Sequence, residues 1–140
     1  MAAIRFRAAP RTTTDIDLLI RRDVDGIEEA FRAYGFEVKV LHDPPDPPHL
    51  YLIRGGGDVR IDILVADTDY QAEAFDRAVD GYLTAEDVIV HKLIAWRRRD
   101  QDDVRSILTT NRPLDEGYIE RWARAWDVSD RWAEAKTWPR

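Results

Sequence analysis

Asp15-Ile16-Asp17-Leu18-Leu19-Ile20 puts Ile16, Leu18 and Ile20 on one side of an extended chain, with Asp15 and Asp17 on the other. That period of two predicts a half-buried β-strand. Aspartate is a poor strand residue, so two of them on one face ask for a reason. Carboxylates at i and i+2 project together and can share a hard cation; the plainer reading is a solvated strand face. A second stretch, Val59-Arg60-Ile61-Asp62-Ile63-Leu64-Val65, repeats the pattern, with Val59, Ile61, Ile63 and Val65 opposite Arg60, Asp62 and Leu64. A carboxylate inside so apolar a strand needs a partner. Either Arg60 or Arg54 pairs with it, or this strand lies beside Asp15–Ile20 and three carboxylates converge. The second arrangement suits two-metal phosphoryl or nucleotidyl transfer, and oxygen-only ligands favour Mg²⁺ or Mn²⁺ over zinc.

Outward from these strands the chain alternates helix and strand signals. Residues 2–9 predict a short helix ahead of Pro10. Val24–Tyr34 carries Ile27, Ala30, Phe31 and Tyr34 at helical spacing, with Gly35 as the stop. Phe36–Leu41 reads as a strand, and the prolines of Asp43–Pro48 predict an exposed loop. Leu50–Arg54 and Val59–Ala66 flank Gly55-Gly56-Gly57-Asp58 as a β-hairpin; a turn is the better reading there than a phosphate cradle, because no helix opens from it. Tyr70–Val79 is a helix candidate. Thr84, three residues ahead of Asp87, predicts a capped helix start running to about Arg98. Asp100 predicts a cap for a helix over Asp102–Leu108. Ile119, Trp122, Ala123 and Trp126 form one apolar helical face, with Trp132 and Trp138 beyond. The tally is an α/β (α+β) fold: a small mixed sheet over about residues 10–80, flanking helices, and a helical C-terminal third over about 84–136.

At 140 residues the chain is sized for one domain spanning 1–140. It has no cysteine, which excludes disulfides, thiolate metal sites and thiol nucleophiles. A net charge of −6 argues against a dedicated duplex binder, although Arg5, Arg7, Arg11, Arg21 and Arg22, and again Arg97-Arg98-Arg99, form basic knots. No apolar run is long enough to span a bilayer and the N-terminus lacks a signal-peptide core, so the expectation is a cytoplasmic protein without membrane contact.

Arg11-Thr12-Thr13-Thr14-Asp15-Ile16-Asp17-Leu18 resembles the Arg-x-Thr-x-Asp-Ile-Asp-Leu signature of the nucleotidyltransferase superfamily, in its bacterial AbiEii/AbiGii-toxin-like branch. Downstream, Leu83–Ile89 leads into Lys92-Leu93-Ile94-Ala95 and then Arg99-Asp100 with Asp103, similar to the branch's Lys-x-x-Ala…Arg-Asp-x-x-Asp pattern. The resemblance covers about residues 8–110 and implies the nucleotidyltransferase fold and transfer of a nucleotide from an NTP, with release of pyrophosphate. It implies Asp15, Asp17 and Asp62 as the catalytic, Mg²⁺- or Mn²⁺-binding carboxylates, with Asp62 also a base toward the acceptor. Arg11 and Lys92 would neutralise nucleotide phosphates, with Thr13, Arg99, Asp100 and Asp103 in support. On one unbroken helix Asp103 would stand about 16 Å along the axis from Lys92, so the two cooperate only if the chain turns near Arg99.

The implied partners are the NTP, a tRNA or protein acceptor, a cognate antitoxin if the chain is a toxin–antitoxin toxin, and a second copy as a homodimer. The superfamily's Gly-Gly or Gly-Ser pair would fall at or just before Met1, and Ala8 stands where relatives often carry glycine. The expectation is therefore a weak or inactive catalyst. The alternatives are a non-catalytic member of the fold, binding a partner through its tryptophan-rich C-terminal helices, and a metal-dependent phosphohydrolase using the same carboxylates.

Overall fold

The computed structural model describes residues 15–21, 26–41, 50–55, 59–110 and 112–139. Their backbone groups into two compact units, one reaching to Asp76 and the other starting at Arg77. The fold is mixed α/β, as the periodicities predict. The expected loop at Asp43–Pro48, the expected helix at 2–9, Arg11 and Thr13 lie outside the described residues.

The first unit holds four strands: β1 (Asp15–Ile20), β2 (Glu37–Leu41), β3 (Leu50–Arg54) and β4 (Arg60–Val65). They form one sheet in the order β1-β4-β3-β2. β2, β3 and β4 make an antiparallel meander, while β1 adds to β4 in parallel. Ala66 N–H donates to Ile20 O at 2.8 Å and continues the β1–β4 ladder. One face is the core face: Ile53, Ile61 and Ile63 are buried, with Ile16, Ile20, Phe31, Phe36, Val38 and Tyr51 packed on them. Phe31 and Phe36 meet edge to face at 5.5 Å between ring centres. Gly55 follows β3, where a Cβ would run into the Phe36 ring, so glycine is required there by close approach.

Helix α1 (Ile27–Ala33) opens at Gly26 with φ 75° and is shorter than the spacing of Val24–Tyr34 predicts. Val24 itself is outside the described residues. Helix α2 (Asp69–Asp76) buries Tyr70 and Ala74. It ends three residues before Val79, the predicted stop, because Asp80 (φ 53°) and Gly81 (φ 76°) turn the chain. Val79 and Tyr82 exchange hydrogen bonds of 2.8 and 3.0 Å across that turn. Two consecutive positive φ values are what a tight hairpin turn demands and no helix tolerates.

The second unit contains α3 (Ala85–Ala95), α4 (Arg98–Leu108), α5 (Glu116–Ala125) and α6 (Ser129–Lys136). Thr84 caps α3 as predicted, accepting from Asp87 N–H while the Asp87 carboxylate accepts from Thr84 N–H. α3 buries Ala85, Asp87, Val88, Ile89, Val90 and Leu93, most of its circumference, and packs on α4 and α5. It stops at Ala95 rather than Arg98, with Trp96 left-handed at φ 49°. Arg131 Nη1 then donates to Leu93 O at 2.7 Å and Ile94 O at 2.9 Å, satisfying carbonyls the helix end leaves open. α4 begins at Arg98, four residues before the expected start at Asp102. Arg97 is the N-cap and Asp100 is the third helical residue, accepting from Arg97 N–H at 3.0 Å. In α5, Ile119 and Ala123 are buried as expected, whereas Trp126 is 37% exposed. Among the described residues no helix is long and apolar enough to cross a membrane.

Candidate functional site

The parallel register of β1 and β4 sets Asp15 across from Arg60, Asp17 across from Asp62 and Leu19 across from Leu64. Facing residues of paired strands project the same way, so Asp15, Asp17, Arg60 and Asp62 share the face opposite the isoleucine core. Antiparallel pairing adds Leu52 beside Asp62 and Arg54 beside Arg60. The expectation that the Asp62 strand lies beside the Asp15–Asp17 strand is met, and the three carboxylates stand on one face of two adjacent strands.

Asp62 does not face the other carboxylates alone. Arg60 Nε donates to its Oδ1 at 2.8 Å and Arg60 Nη2 to its Oδ2 at 2.6 Å, a forked pair along the same strand. The Asp62 side chain is 19% exposed and that of Arg60 52%. The hydrogen bonds to Asp62 and its charge hold the Arg60 guanidinium proton above its usual value, and Asp15 and Asp17 add to this. Both partners the sequence offered Asp62 are thus present, the arginine and the carboxylates, with the arginine in direct contact. The donor set, three carboxylates and no sulfur, has the chemistry a hard divalent cation takes. Yet among the described residues no three His, Asp or Glu side chains are gathered into a group that could hold a metal. Among the described residues, Arg60 is a cation on that face, in direct contact with Asp62.

The downstream motif residues meet one another within the helical unit. The chain turns at Trp96–Arg97, and this brings Lys92 Nζ to 3.0 Å from Asp100 Oδ1 and 3.2 Å from Asp103 Oδ2. Both aspartates are completely buried, and Lys92 is 19% exposed. Arg97 Nε donates to Asp100 Oδ2 at 2.7 Å. Lys92 and Arg97 thus engage two buried carboxylates in a knot that ties α3 to α4. Burial opposes ionisation of Asp100, but hydrogen bonds from Arg97 and Lys92, with the Lys92 charge, outweigh it and hold its carboxyl below the usual range. Arg99 is exposed on the first turn of α4 and does not join the knot.

A third buried cluster escaped the sequence reading. Asp87, fully buried, accepts a short hydrogen bond from Tyr118 Oη as well as its capping contacts with Thr84. Arg77 Nε lies 3.6 Å from Asp87 Oδ2, and its guanidinium covers the Tyr118 ring at 3.8 Å. The capping box marked Asp87, but no periodicity links it to a tyrosine on another helix.

No protein-family model matches this chain, and a search of the curated proteins finds no match.

Proposed function

We propose that the chain is a nucleotidyltransferase-type domain working on its Asp15/Asp17/Asp62 face, moving a nucleotide from an NTP to an RNA or protein acceptor. The observation that supports this is the β1–β4 register, which pairs Asp17 with Asp62 and keeps Asp15 on the same face. In such a transfer an acceptor oxygen bonds to the α-phosphorus while the bond from that phosphorus to the bridging oxygen breaks. Pyrophosphate leaves, and the acceptor's proton passes to a carboxylate, a role this reading gives to Asp62. Bound by the three carboxylates, Mg²⁺ or Mn²⁺ would neutralise phosphate charge. The chain's own contribution is placement: the sheet ladders fix the carboxylate-bearing backbones relative to one another before any substrate arrives. A phosphate-neutralising role for Lys92 rests on the sequence resemblance; its ammonium is paired with Asp100 and Asp103. A toxin role with a cognate antitoxin, and a homodimer, rest on the same sequence resemblance.

The forked Arg60–Asp62 pair favours a second reading, a non-catalytic domain of this fold that acts by binding a partner. Calorimetric titration with Mn²⁺ separates the two. Binding that disappears in the Asp15→Ala/Asp17→Ala variant supports the carboxylate reading, and binding unchanged in it removes that reading. Transfer of label from α-labelled NTPs to a tRNA pool, with Mg²⁺ present, then tests catalysis. Metal binding without transfer moves the assignment to the partner-binding domain.

A further inference from the structure

Cations stabilise the C-terminal end of a helix and are disfavoured at its N-terminal end, where the backbone dipole is already positive. α4 begins against that rule, with Arg97 at the N-cap and Arg98 and Arg99 as its first two helical residues. Arg97 is compensated by Asp100, which it meets at 2.7 Å. Arg98 and Arg99 are exposed, and among the described residues their side chains form no hydrogen bond or ion pair. Fold stability does not account for these two charges.

An aromatic feature adjoins them. Trp96, the residue before the N-cap, stacks on Trp138 with ring centres 5.8 Å apart and planes 14° from parallel. The Arg105 guanidinium lies 4.7 Å from the centre of the Trp138 ring. Arg105 is two turns beyond Arg98 on the same exposed stripe of α4, about 10 Å from it along the axis. Gln101, between them, donates through Nε2 to Trp96 O at 3.2 Å and ties the stripe to the tryptophan. Both rings remain partly exposed. Asp102 is the exposed carboxylate of this stretch, and its contact with Arg105 is long, at 3.8 Å.

We propose that the start of α4, together with the Trp96–Trp138 stack, is a binding surface for single-stranded nucleic acid. Arg98, Arg99 and Arg105 take the phosphates, and an unpaired base extends the tryptophan stack. Guanidinium groups match phosphate oxygens, and the flat face of a base matches an indole as an acidic side chain does not. A duplex fits less well, because its bases are stacked on one another and closed to the rings. The net charge of −6 also leaves the chain without the strongly basic balance of a duplex binder. All of these residues belong to the helical unit, so the proposal stands apart from the carboxylate reading and Mn²⁺ titration does not bear on it.

The test is fluorescence anisotropy with labelled oligo-U and oligo-dT of about 12 nucleotides, at salt concentrations from about 50 to 200 mM. Quenching of tryptophan emission reads the stacking. The native chain should bind with quenched emission and with an affinity that falls as salt rises. Arg98→Gln/Arg99→Gln should keep the native melting temperature and bind about tenfold or more weakly. Its log–log salt slope should be shallower by about 1.4, which is two phosphate contacts. Trp138→Leu, once circular dichroism shows that it folds, should lose affinity with the salt slope unchanged; the arginine variant decides the matter if it does not fold. Whichever oligonucleotide binds more tightly identifies the strand as RNA or DNA. The proposal is overturned if the native chain binds neither oligonucleotide at about 50 mM salt and tens of micromolar protein, or if the arginine variant binds as the native chain does. It is also overturned if a glutamate peptide of equal charge binds as tightly without quenching, which would make the surface a site for an acidic protein segment.

Discussion

Replacing Lys92 with methionine tests the helical knot most directly. Methionine nearly matches the lysine stem in volume, so the change removes a charge and little else. Asp103 is completely buried and loses the ammonium 3.2 Å away, and Asp100 keeps only Arg97. Removing one member of a buried ion pair typically costs 3–5 kcal/mol, because the remaining charge is stranded rather than because the pair was strong. Lys92 retains 19% exposure, so water reaches the cluster and the lower end applies, about 3 kcal/mol. For a chain of 140 residues that is a fall in Tm of about 10 °C. The assay is a thermal melt at pH 7 followed by circular dichroism, repeated with Asp103→Asn added. The second change removes the carboxylate that faced the ammonium and should recover part of the loss. A Lys92→Met chain that melts within about 2 °C of native, roughly 0.5 kcal/mol, would refute the argument.

Asp62→Asn should destabilise the fold by no more than about 1 kcal/mol in urea melts, because the Arg60 fork is lost but half of that arginine is already in water; a gain in stability would mean that repulsion among the carboxylates dominates instead. Asp100, held below the usual carboxylate range, binds its proton more weakly folded than unfolded. Its stabilisation is therefore complete above the ordinary carboxylate pKa of about 4 and is lost as pH falls through the lower folded value. Urea midpoints measured from pH 7 to pH 2.5 should fall at the acid end, less steeply in Asp100→Asn. Tyr118→Phe should cost about 1–2 kcal/mol by chemical denaturation, since it takes a hydrogen bond from a fully buried carboxylate. Trp96 sits at φ 49° and stacks on Trp138 at 5.8 Å, so Trp96→Gly sheds strain where Trp96→Ala keeps it. Both lose the stack, and melts should rank glycine above alanine by about 1 kcal/mol.

The sheet was readable because its signals are local. Alternation marked β1 and β4 and placed Asp15, Asp17 and Asp62 on polar faces, and the glycines after Arg54 marked the hairpin. The pairing of β1 with β4 was open, since periodicity assigns faces and not neighbours. Two helix ends differ from the spacing where a non-glycine residue adopts positive φ: Asp80 turns the chain beyond α2 and Trp96 ends α3, and neither residue type announces it. Asp100 looked like a cap because aspartate favours that position, but Arg97 takes the cap and Asp100 the third helical position behind it. The cluster of Asp87 with Tyr118 joins residues on separate helices and leaves no mark in sequence spacing.

The order of strands along the chain also bears on how the carboxylate face is built in time. β2, β3 and β4 follow one another and pair as neighbours, so their meander closes only short loops. Among the described strands β1 comes first in sequence yet pairs with β4, across β2, β3 and α1. That closure is the slowest to be rewarded during folding, and the pairing of Asp17 with Asp62 is expected to form last. Truncations such as Ile53→Ala in the meander should mainly slow refolding, while Ile16→Ala on β1 should mainly speed unfolding. Stopped-flow chevrons with equal effects at the two positions would contradict this sequence of events. A face that assembles last is also the one whose strand can leave while the meander persists, so hydrogen exchange along β1 should run ahead of exchange in β3.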